Sequence, residues 1–166
     1  MKKTVIFFLL SIFSMQFSAE TVSTLSVFRS IADRKIATVQ DLSDLMMMNL
    51  ENFEKFPTAK ERNKRIQELN LMEFAAMENP EKIRLTRGRL SKVLHKIFNI
   101  DKSMLFLLTG FERYAHRDMQ HAGIMDTRFS EMDFVSGGQL IGIFEKCSEL
   151  KAIRETWGKS EREGKK

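Results

Sequence analysis

The most constraining feature of this sequence is a helix-start pattern that recurs at nearly constant spacing. A hydroxyl residue stands at Thr38, Thr86 and Ser136, and a leucine follows each of them four residues later. The second hydroxyl residue follows the first by 48 residues, and the third follows the second by 50. Ser and Thr are favoured at helix N-caps because their side-chain oxygen accepts a hydrogen bond from the first turn. Regular spacing on this scale is typical of repeat proteins, so the sequence predicts three units of about 50 residues.

Each of these N-caps precedes an apolar stripe with the spacing of an α-helix. Such a stripe places its residues on one helix face, which has to be buried against another element. No stretch of the chain shows the alternation that predicts a strand. The sequence therefore predicts an all-α domain, residues 20–157, made of three packed helix-loop-helix repeats. The three stripes are Leu42, Leu45, Met46 and Leu50; Leu90, Val93, Leu94, Ile97 and Phe98; and Leu140, Ile143, Phe144 and Cys147.

A second helix is expected between successive N-caps. Thr58 and Glu61 form a capping-box pattern that opens one such helix, and a later one is expected from about Phe111 to Ala122. Asn70 and Gly123 stand where a left-handed residue closes a helix. Each repeat is thus predicted to contain a capped helix, a connector, a second helix and a left-handed stop.

Three further segments have distinct patterns. Residues 25–36 predict an opening amphipathic helix that packs on the third unit. Lys102 to Gly110 is apolar on every side of a helix, which predicts a short buried helix. Residues 158–166 are polar and contain glycine, so a disordered tail is expected there.

The N-terminus has the pattern of a secretory signal. Lys2 and Lys3 precede an uncharged apolar run from Thr4 to Phe17, and Ser18 and Ala19 follow it. This is the order of a signal peptide, and the run is shorter than the roughly 20 apolar residues that a bilayer span requires. We expect a signal peptide at residues 1–19, cleavage after Ala19, and export to the periplasm or cell envelope. An uncleaved short anchor is the alternative.

Cysteine content and charge narrow the function classes. A single cysteine, Cys147, excludes an internal disulfide, and its position in the third stripe predicts a buried, inert thiol.

The net charge is +5, or +3 without Lys2 and Lys3, which weighs against nucleic acid as a partner. Seven bases and one acid lie from Lys82 to Lys102, whereas nine acids and five bases lie from Asp41 to Glu81. The second repeat is therefore expected to be basic.

The segment Leu85-Thr86-Arg87-Gly88-Arg89 is similar to the Ile-Thr-Arg-Ala-Glu signature of S-layer homology repeats. The helix pair that closes in Gly123-Ile124-Met125 and leads to the next N-cap also resembles that family, over about residues 36 to 150. In the family, three such repeats commonly form a pseudo-threefold helical module that holds an exported protein to cell-wall glycan. The resemblance implies a non-catalytic envelope protein whose partner is a cell-wall polymer or an envelope protein complex.

The strongest candidate binding site is the start of the helix that follows Thr86. Backbone N–H groups at a helix start and nearby arginine side chains attract carboxylate or phosphate groups, and Gly88 permits close approach. The alternative is a solvated basic face, because Arg89 and Lys92 also lie on the polar side of an amphipathic helix. The candidate anion or glycan site consists of Arg84, Thr86, Arg87, Gly88, Arg89 and Lys92.

Ser136-Gly137-Gly138 offers a second set of backbone donors that could bind an anion. The favoured interpretation of these glycines is different: a tight helix start that a neighbouring segment crowds. The two interpretations make different predictions about what lies next to Gly137.

No pattern predicts catalysis, a metal site or a cofactor. His116 and His121 are five residues apart, which places them on different helix faces, and His95 lies a repeat away. The polar cluster around Tyr114 lacks a nucleophile paired with a base. We expect membrane contact only through the signal peptide. A scaffold that recognises a protein partner is the main alternative function, and a small exported hydrolase is a less favoured one.

Overall fold

The computed structural model describes residues 24–50, 53–72 and 78–163, with side chains as far as residue 154. Within these ranges the chain forms α-helices and short 3-10 helices and no β-strand, so the expected all-α class is confirmed. The predicted signal peptide lies outside the described residues. The helices are α1 (24–32), α2 (Val39–Leu50), α3 (Ala59–Glu68), α4 (Arg87–Phe98), α5 (Met104–Thr109), α6 (Glu112–His121) and α7 (Gly137–Glu163), with 3-10 helices at Phe53–Lys55 and Pro80–Lys82.

The three recurring N-caps are confirmed. The Thr38 hydroxyl oxygen accepts from the Asp41 N–H at 3.3 Å, and the Asp41 carboxylate accepts from the Thr38 N–H at 2.8 Å. Ser136 and Gln139 form the same reciprocal pair at the start of α7. The Thr86 hydroxyl oxygen accepts from the third residue of α4. The predicted capping box that opens α3 is also present.

The segments that lead into α2, α4 and α7 meet in a closed triangle of backbone hydrogen bonds. The Leu85 N–H donates to the Ala37 carbonyl oxygen at 2.9 Å, and the Val135 N–H donates to the Leu85 carbonyl oxygen at 3.1 Å. The Ala37 N–H donates to the Val135 carbonyl oxygen at 2.7 Å and closes the triangle. All three residues have 0% of their surface exposed. The triangle therefore joins three distant parts of the sequence in the interior.

A second set of three bonds surrounds the triangle. The first N–H of each helix donates to a carbonyl oxygen in the segment before another of these helices, always at 2.9 Å. These bonds satisfy N–H groups that a helix leaves without an intrahelical partner. The pairs are Val39 to Ile83, Arg87 to Asp133, and Gly137 to Arg34.

All three predicted stripes contribute residues to the core. Leu90, Leu94 and Leu140 are 0% exposed and Phe144 is 2% exposed, so their predicted burial is confirmed. The Phe98 and Phe144 rings meet edge to face with centroids 5.0 Å apart, which packs α4 against α7. Two stripe residues differ: Ile97 is only partly buried, and Leu50, at the end of α2, is 42% exposed.

Left-handed residues end the helices where the sequence predicts them. Asn70 has a φ of 51° and Gly123 a φ of 71°, and the following residues fold back so that the Leu71 N–H donates to Ile66 and the Ile124 N–H to Met119. Asn99, with a φ of 47°, ends α4 in the same conformation. No helix in the described ranges is both long and apolar enough to cross a bilayer.

The predicted burial of the short apolar helix is wrong. Residues 104–109 form α5, as expected, but none of them is buried. Leu107 is 67% exposed and Leu108 is 76% exposed. One face of α5 packs inward, where the Phe106 ring lies 4.8 Å from the His95 ring. The other faces of α5 stay exposed among the described residues, and its main contacts are with α6.

The two ends of the domain also differ from expectation. The opening helix ends at residue 32, and residues 33–36 turn towards the triangle. Helix α7 continues through residues 158–163, where composition predicts a disordered tail. Lys, Glu and Arg are good helix formers, and adding residues to an existing helix avoids the cost of a new nucleus.

Candidate anion-binding site

The backbone donors at the start of α4 are occupied. The N–H groups of its first two residues donate to the carbonyl oxygens of Asp133, at 2.9 Å, and Glu131, at 2.8 Å. The third N–H donates to the Thr86 hydroxyl oxygen at 3.3 Å. The expectation that this helix start offers free donors to a ligand is therefore wrong. Its N–H groups bind the chain itself, because the segment before α7 lies against them.

Gly88 permits close approach, but the approaching group belongs to the protein. A Cβ atom at this position would lie 2.9 Å from the Glu112 Cβ atom and 3.1 Å from the Glu131 carbonyl oxygen. Real Cβ atoms essentially never lie within 3.0 Å of another atom, and 3.1 Å is tighter than nearly all Cβ contacts. Glycine is thus needed here to pack α4 against α6 and the loop before α7.

The predicted basic residues point to different neighbours. The Arg84 guanidinium carbon lies 5.4 Å from the centre of the Phe134 ring. The Arg89 Nε atom lies 4.0 Å from a Glu112 carboxylate oxygen. Lys92 is partly buried on α4. These side chains therefore have separate surroundings.

Arg87 is buried, since only 3% of its surface is exposed. Its guanidinium carbon lies 3.9 Å above the Phe129 ring, a cation–π geometry. The buried Nε atom has no hydrogen-bond partner among the described residues. Burial lowers the pKa of Arg87, while the nearby Asp133 and Asp126 carboxylates act in the opposite direction. The group nevertheless stays charged, because an arginine does not lose its proton in a protein.

Arg87 lines a cavity of about 310 Å³ between α4, the loop after α6, and α7. Its charged lining consists of Arg87, Arg128, Lys146 and Asp126, so cations outnumber acids. Ile124, Met125, Phe129, Gln139, Gly142 and Ile143 complete the lining. A cavity of this composition favours a ligand that combines a negative group with an apolar or ring-shaped body.

The one acid in the lining is already paired. Arg128 Nη2 lies 2.6 Å from Asp126 Oδ2, and the Arg128 Nε and N–H groups also donate to this carboxylate. These hydrogen bonds lower the pKa of Asp126 to about 2. The positive charges of Arg87 and Lys146 are therefore left without a matching acid in the cavity lining.

Helix α6 holds the aromatic wall of the cavity in position. The Phe129 carbonyl oxygen lies 3.0 Å from His116 Nε2 and also accepts from the Gln120 side chain at 3.0 Å. His116 Nδ1 lies 3.2 Å from the Met125 sulfur, and His116 is 3% exposed. This histidine supports the loop that places Phe129 over Arg87.

Most of the cavity was not predicted from sequence. Of the six predicted residues, Arg87 alone is part of this lining, while Asp126, Arg128, Phe129 and Lys146 were missed. The sequence does contain a local indication of this site. In the loop after Gly123, Asp126 and Arg128 carry opposite charges and Phe129 is aromatic. Its meeting with Arg87 depends on contacts between distant segments, which spacing along the chain does not reveal.

The start of α7 is crowded, as the favoured interpretation of its glycines expects. A Cβ atom on Gly137 would lie 1.6 Å from the Ile31 carbonyl oxygen. The Gly137 N–H donates to the Arg34 carbonyl oxygen. This helix start therefore contacts the end of α1, so the opening helix packs on the helix that carries the third predicted stripe.

Two further side chains with reactive groups, His95 and Cys147, are built into the core. His95 is 0% exposed, with its ring nitrogens 3.4 Å and 3.2 Å from the carbonyl oxygens of Ile100 and Ala115, and burial lowers its pKa. Cys147 is 1% exposed. The expected burial is thus confirmed, and burial raises the pKa of the thiol to about 12, which favours the protonated, unreactive form. Within the described ranges, no group of three or more His, Cys, Asp or Glu residues could hold a metal ion.

Comparisons of the chain with protein-family models, with curated proteins and with solved structures find no match.

Proposed function

We propose that this chain is an exported, non-catalytic cell-envelope protein that binds a negatively charged group of wall glycan or a related envelope polymer. The binding site is the cavity that Arg87 lines. The observation that carries the proposal is the buried Arg87 guanidinium, whose Nε atom lacks a hydrogen-bond partner beside a cavity with excess positive charge. A buried polar atom without a partner is costly. A carboxylate or phosphate would remove that cost and form a charge-assisted hydrogen bond.

The ring over Arg87 also suits a polymer of sugars. Phe129 lies against the guanidinium and is itself part of the cavity wall. Gln139 adds an amide that can pair with hydroxyl groups. The arrangement combines a cation, an amide and an aromatic surface, which are the groups that bind an acidic sugar.

We further propose that the domain consists of three repeats, related to S-layer homology repeats in architecture. The closed triangle of Ala37, Leu85 and Val135 supports this, because each of the three segments makes the same bond to the next. The helix pairs α2 with α3 and α4 with α6 make extensive contacts and provide the first two units. In the third unit α7 is paired with α1, whose end contacts Gly137.

The proposal is tested by attachment of the protein to isolated envelope polymer, with two variants of equal charge change. Lys146→Glu reverses a charge in the cavity wall, and Lys151→Glu reverses an exposed charge of α7 that is not in this lining. We expect Lys146→Glu to weaken attachment at least tenfold and Lys151→Glu to change it less than twofold. Both variants should keep the thermal midpoint of the parent, because exposed charges contribute little to folding.

The ligand side of the same experiment uses treated polymer. Reduction of its carboxylates or removal of its phosphate esters should abolish attachment if the Arg87 cavity binds the negative group. Equal weakening by the two lysine variants would contradict the proposal, since it would indicate a general charge effect. Undiminished attachment to polymer that lacks both kinds of acid would contradict it as well.

A further inference from the structure

The surface of α5 exposes large apolar side chains that the fold does not use. We define the α5 apolar surface as Met104, Leu107, Leu108 and Phe111. These residues are 76%, 67%, 76% and 64% exposed. Contiguous apolar surface of this kind on a folded domain marks a site of interaction with a protein or a membrane.

A connector between two helices of this fold does not need an exposed apolar surface. The corresponding connector between α2 and α3 is the 3-10 helix Phe53–Lys55, where Phe53 and Phe56 pack against the core. The Arg62 guanidinium carbon lies 4.5 Å from the centre of the Phe53 ring and covers it. The α5 connector is thus an addition with its apolar side chains turned outward.

Uncompensated positive charge lies next to the α5 apolar surface in the chain. Three acids lie close by: Asp101 is 2.6 Å from the Arg154 side chain, Glu112 is 4.0 Å from Arg89, and Asp118, 8% exposed, accepts from the Ser103 N–H. Lys102, Arg113 and Arg117 are exposed and form no ion pair within the described ranges. Arg113 and Arg117 are four residues apart on α6, so they share one face of that helix.

We infer that the α5 apolar surface, with Lys102, Arg113 and Arg117, docks on the surface of an anionic lipid bilayer. Apolar side chains that enter the interface, together with basic residues that attract anionic headgroups, are the two sources of affinity of interfacial helices. This inference revises the expectation that membrane contact occurs only through the signal peptide. It does not rest on the proposed polymer site, since it uses other residues.

The charge pattern argues against a second copy of the chain as the occupant. A two-fold interface pairs the same surface patch of both copies. Lys102, Arg113 and Arg117 of each copy would then approach their counterparts, with the neighbouring Asp101 and Glu112 already paired within their own chain. Like charges brought together in this way oppose association. An anionic membrane instead supplies the missing negative charge.

The test is co-sedimentation of the full chain with vesicles of phosphatidylglycerol and phosphatidylethanolamine, compared with vesicles of phosphatidylcholine. Leu107→Ser is matched by Leu25→Ser, because both leucines are 67% exposed in the parent. We expect binding to the anionic vesicles only, a loss of at least tenfold in Leu107→Ser, and a change below twofold in Leu25→Ser. The apolar N-terminal run is the same in every variant, so a difference between variants does not come from that run.

The charge contribution has its own pair of variants. Arg113→Gln with Arg117→Gln should weaken vesicle binding and reduce its dependence on salt, whereas Lys35→Gln with Lys151→Gln removes the same charge elsewhere and should do neither. Insertion is measured with Phe111→Trp in a Trp157→Phe background. Its fluorescence should shift to the blue on vesicle addition and be quenched by brominated lipid.

Three results would overturn the inference. The first is absence of binding to anionic vesicles, and the second is an equal loss in Leu107→Ser and Leu25→Ser. The third is a dimer in sedimentation equilibrium that Leu107→Ser dissociates, because the α5 apolar surface would then be the contact between two copies.

Discussion

Arg87 links folding to binding at the scale of single residues. Its guanidinium is buried above Phe129 with the Nε atom unpaired, and burial lowers its pKa. Replacing a poorly paired buried charge by an apolar side chain of similar volume is often neutral or stabilising. Arg87 is therefore expected to lower the stability of the free protein. A bound anion would offset this loss by pairing with the guanidinium.

Arg87→Met separates these two effects. Methionine fills most of the volume and keeps contact with the Phe129 ring, so the free energy of unfolding should rise by about 1 kcal/mol. Attachment to envelope polymer should be lost, because the cation is gone. Urea denaturation and the attachment assay measure the two quantities. A variant that is both less stable and fully able to attach would mean that Arg87 has only a structural role.

Glycine substitutions test the crowded start of α7. Gly137→Ala would place a Cβ atom 1.6 Å from the Ile31 carbonyl oxygen, so we expect the free energy of unfolding to fall by about 3 kcal/mol. Gly142 is the control, since a Cβ atom there meets nothing within 4 Å. Gly142→Ala should raise stability by about 0.5 to 1 kcal/mol, because alanine is the better helix former. Equal effects would show that α1 does not contact Gly137.

At the scale of elements, α4 and α5 differ in how much of their structure local sequence determines. The N-cap at Thr86, the apolar stripe and the closing Asn99 all lie within or beside α4, and its burial follows from them. The residues of α5 also predict a helix, but their burial depends on whether another element covers them. None of the described elements does, so the prediction of helix was correct and that of burial was wrong.

In the candidate site, too, local sequence predicts some residues, while others depend on contacts with distant segments. Arg87 was recognised from the motif around Thr86, whereas Lys146 belongs to another helix and Asp126 to a loop. The expected backbone donors were misassigned because the chain from Glu131 to Asp133 occupies them. Sequence spacing identifies a helix start, but it does not show which distant carbonyl oxygens lie against that start.

A leucine pair tests the burial of the two elements. Leu94 of α4 is 0% exposed and Leu108 of α5 is 76% exposed. Leu94→Ala should lower the free energy of unfolding by about 2 to 5 kcal/mol, as large-to-small core substitutions do. Leu108→Ala should change it by less than about 0.5 kcal/mol. A comparable loss in both variants, measured in urea, would mean that α5 is covered.

At the scale of the whole molecule, the proposed location of the protein follows from its N-terminus. Lys2 and Lys3 with the apolar run from Thr4 to Phe17 predict export. The protein recovered from the envelope fraction should begin near Glu20, as determined by N-terminal sequencing. Replacing Leu9 and Leu10 by aspartate should retain the precursor in the cytosol, because the apolar region is interrupted. Accumulation of unprocessed parent chain in the cytosol would contradict export.

The closed triangle has a consequence for how the domain can come apart. In an open array of repeats, a terminal unit can detach and leave the other interfaces intact. Here each of Ala37, Leu85 and Val135 takes part in two of the three bonds, so loss of any one segment leaves a single bond. The closed triangle has no end segment from which fraying can begin. Its first and last segments hold each other, and a chain that stops before Val135 cannot close it.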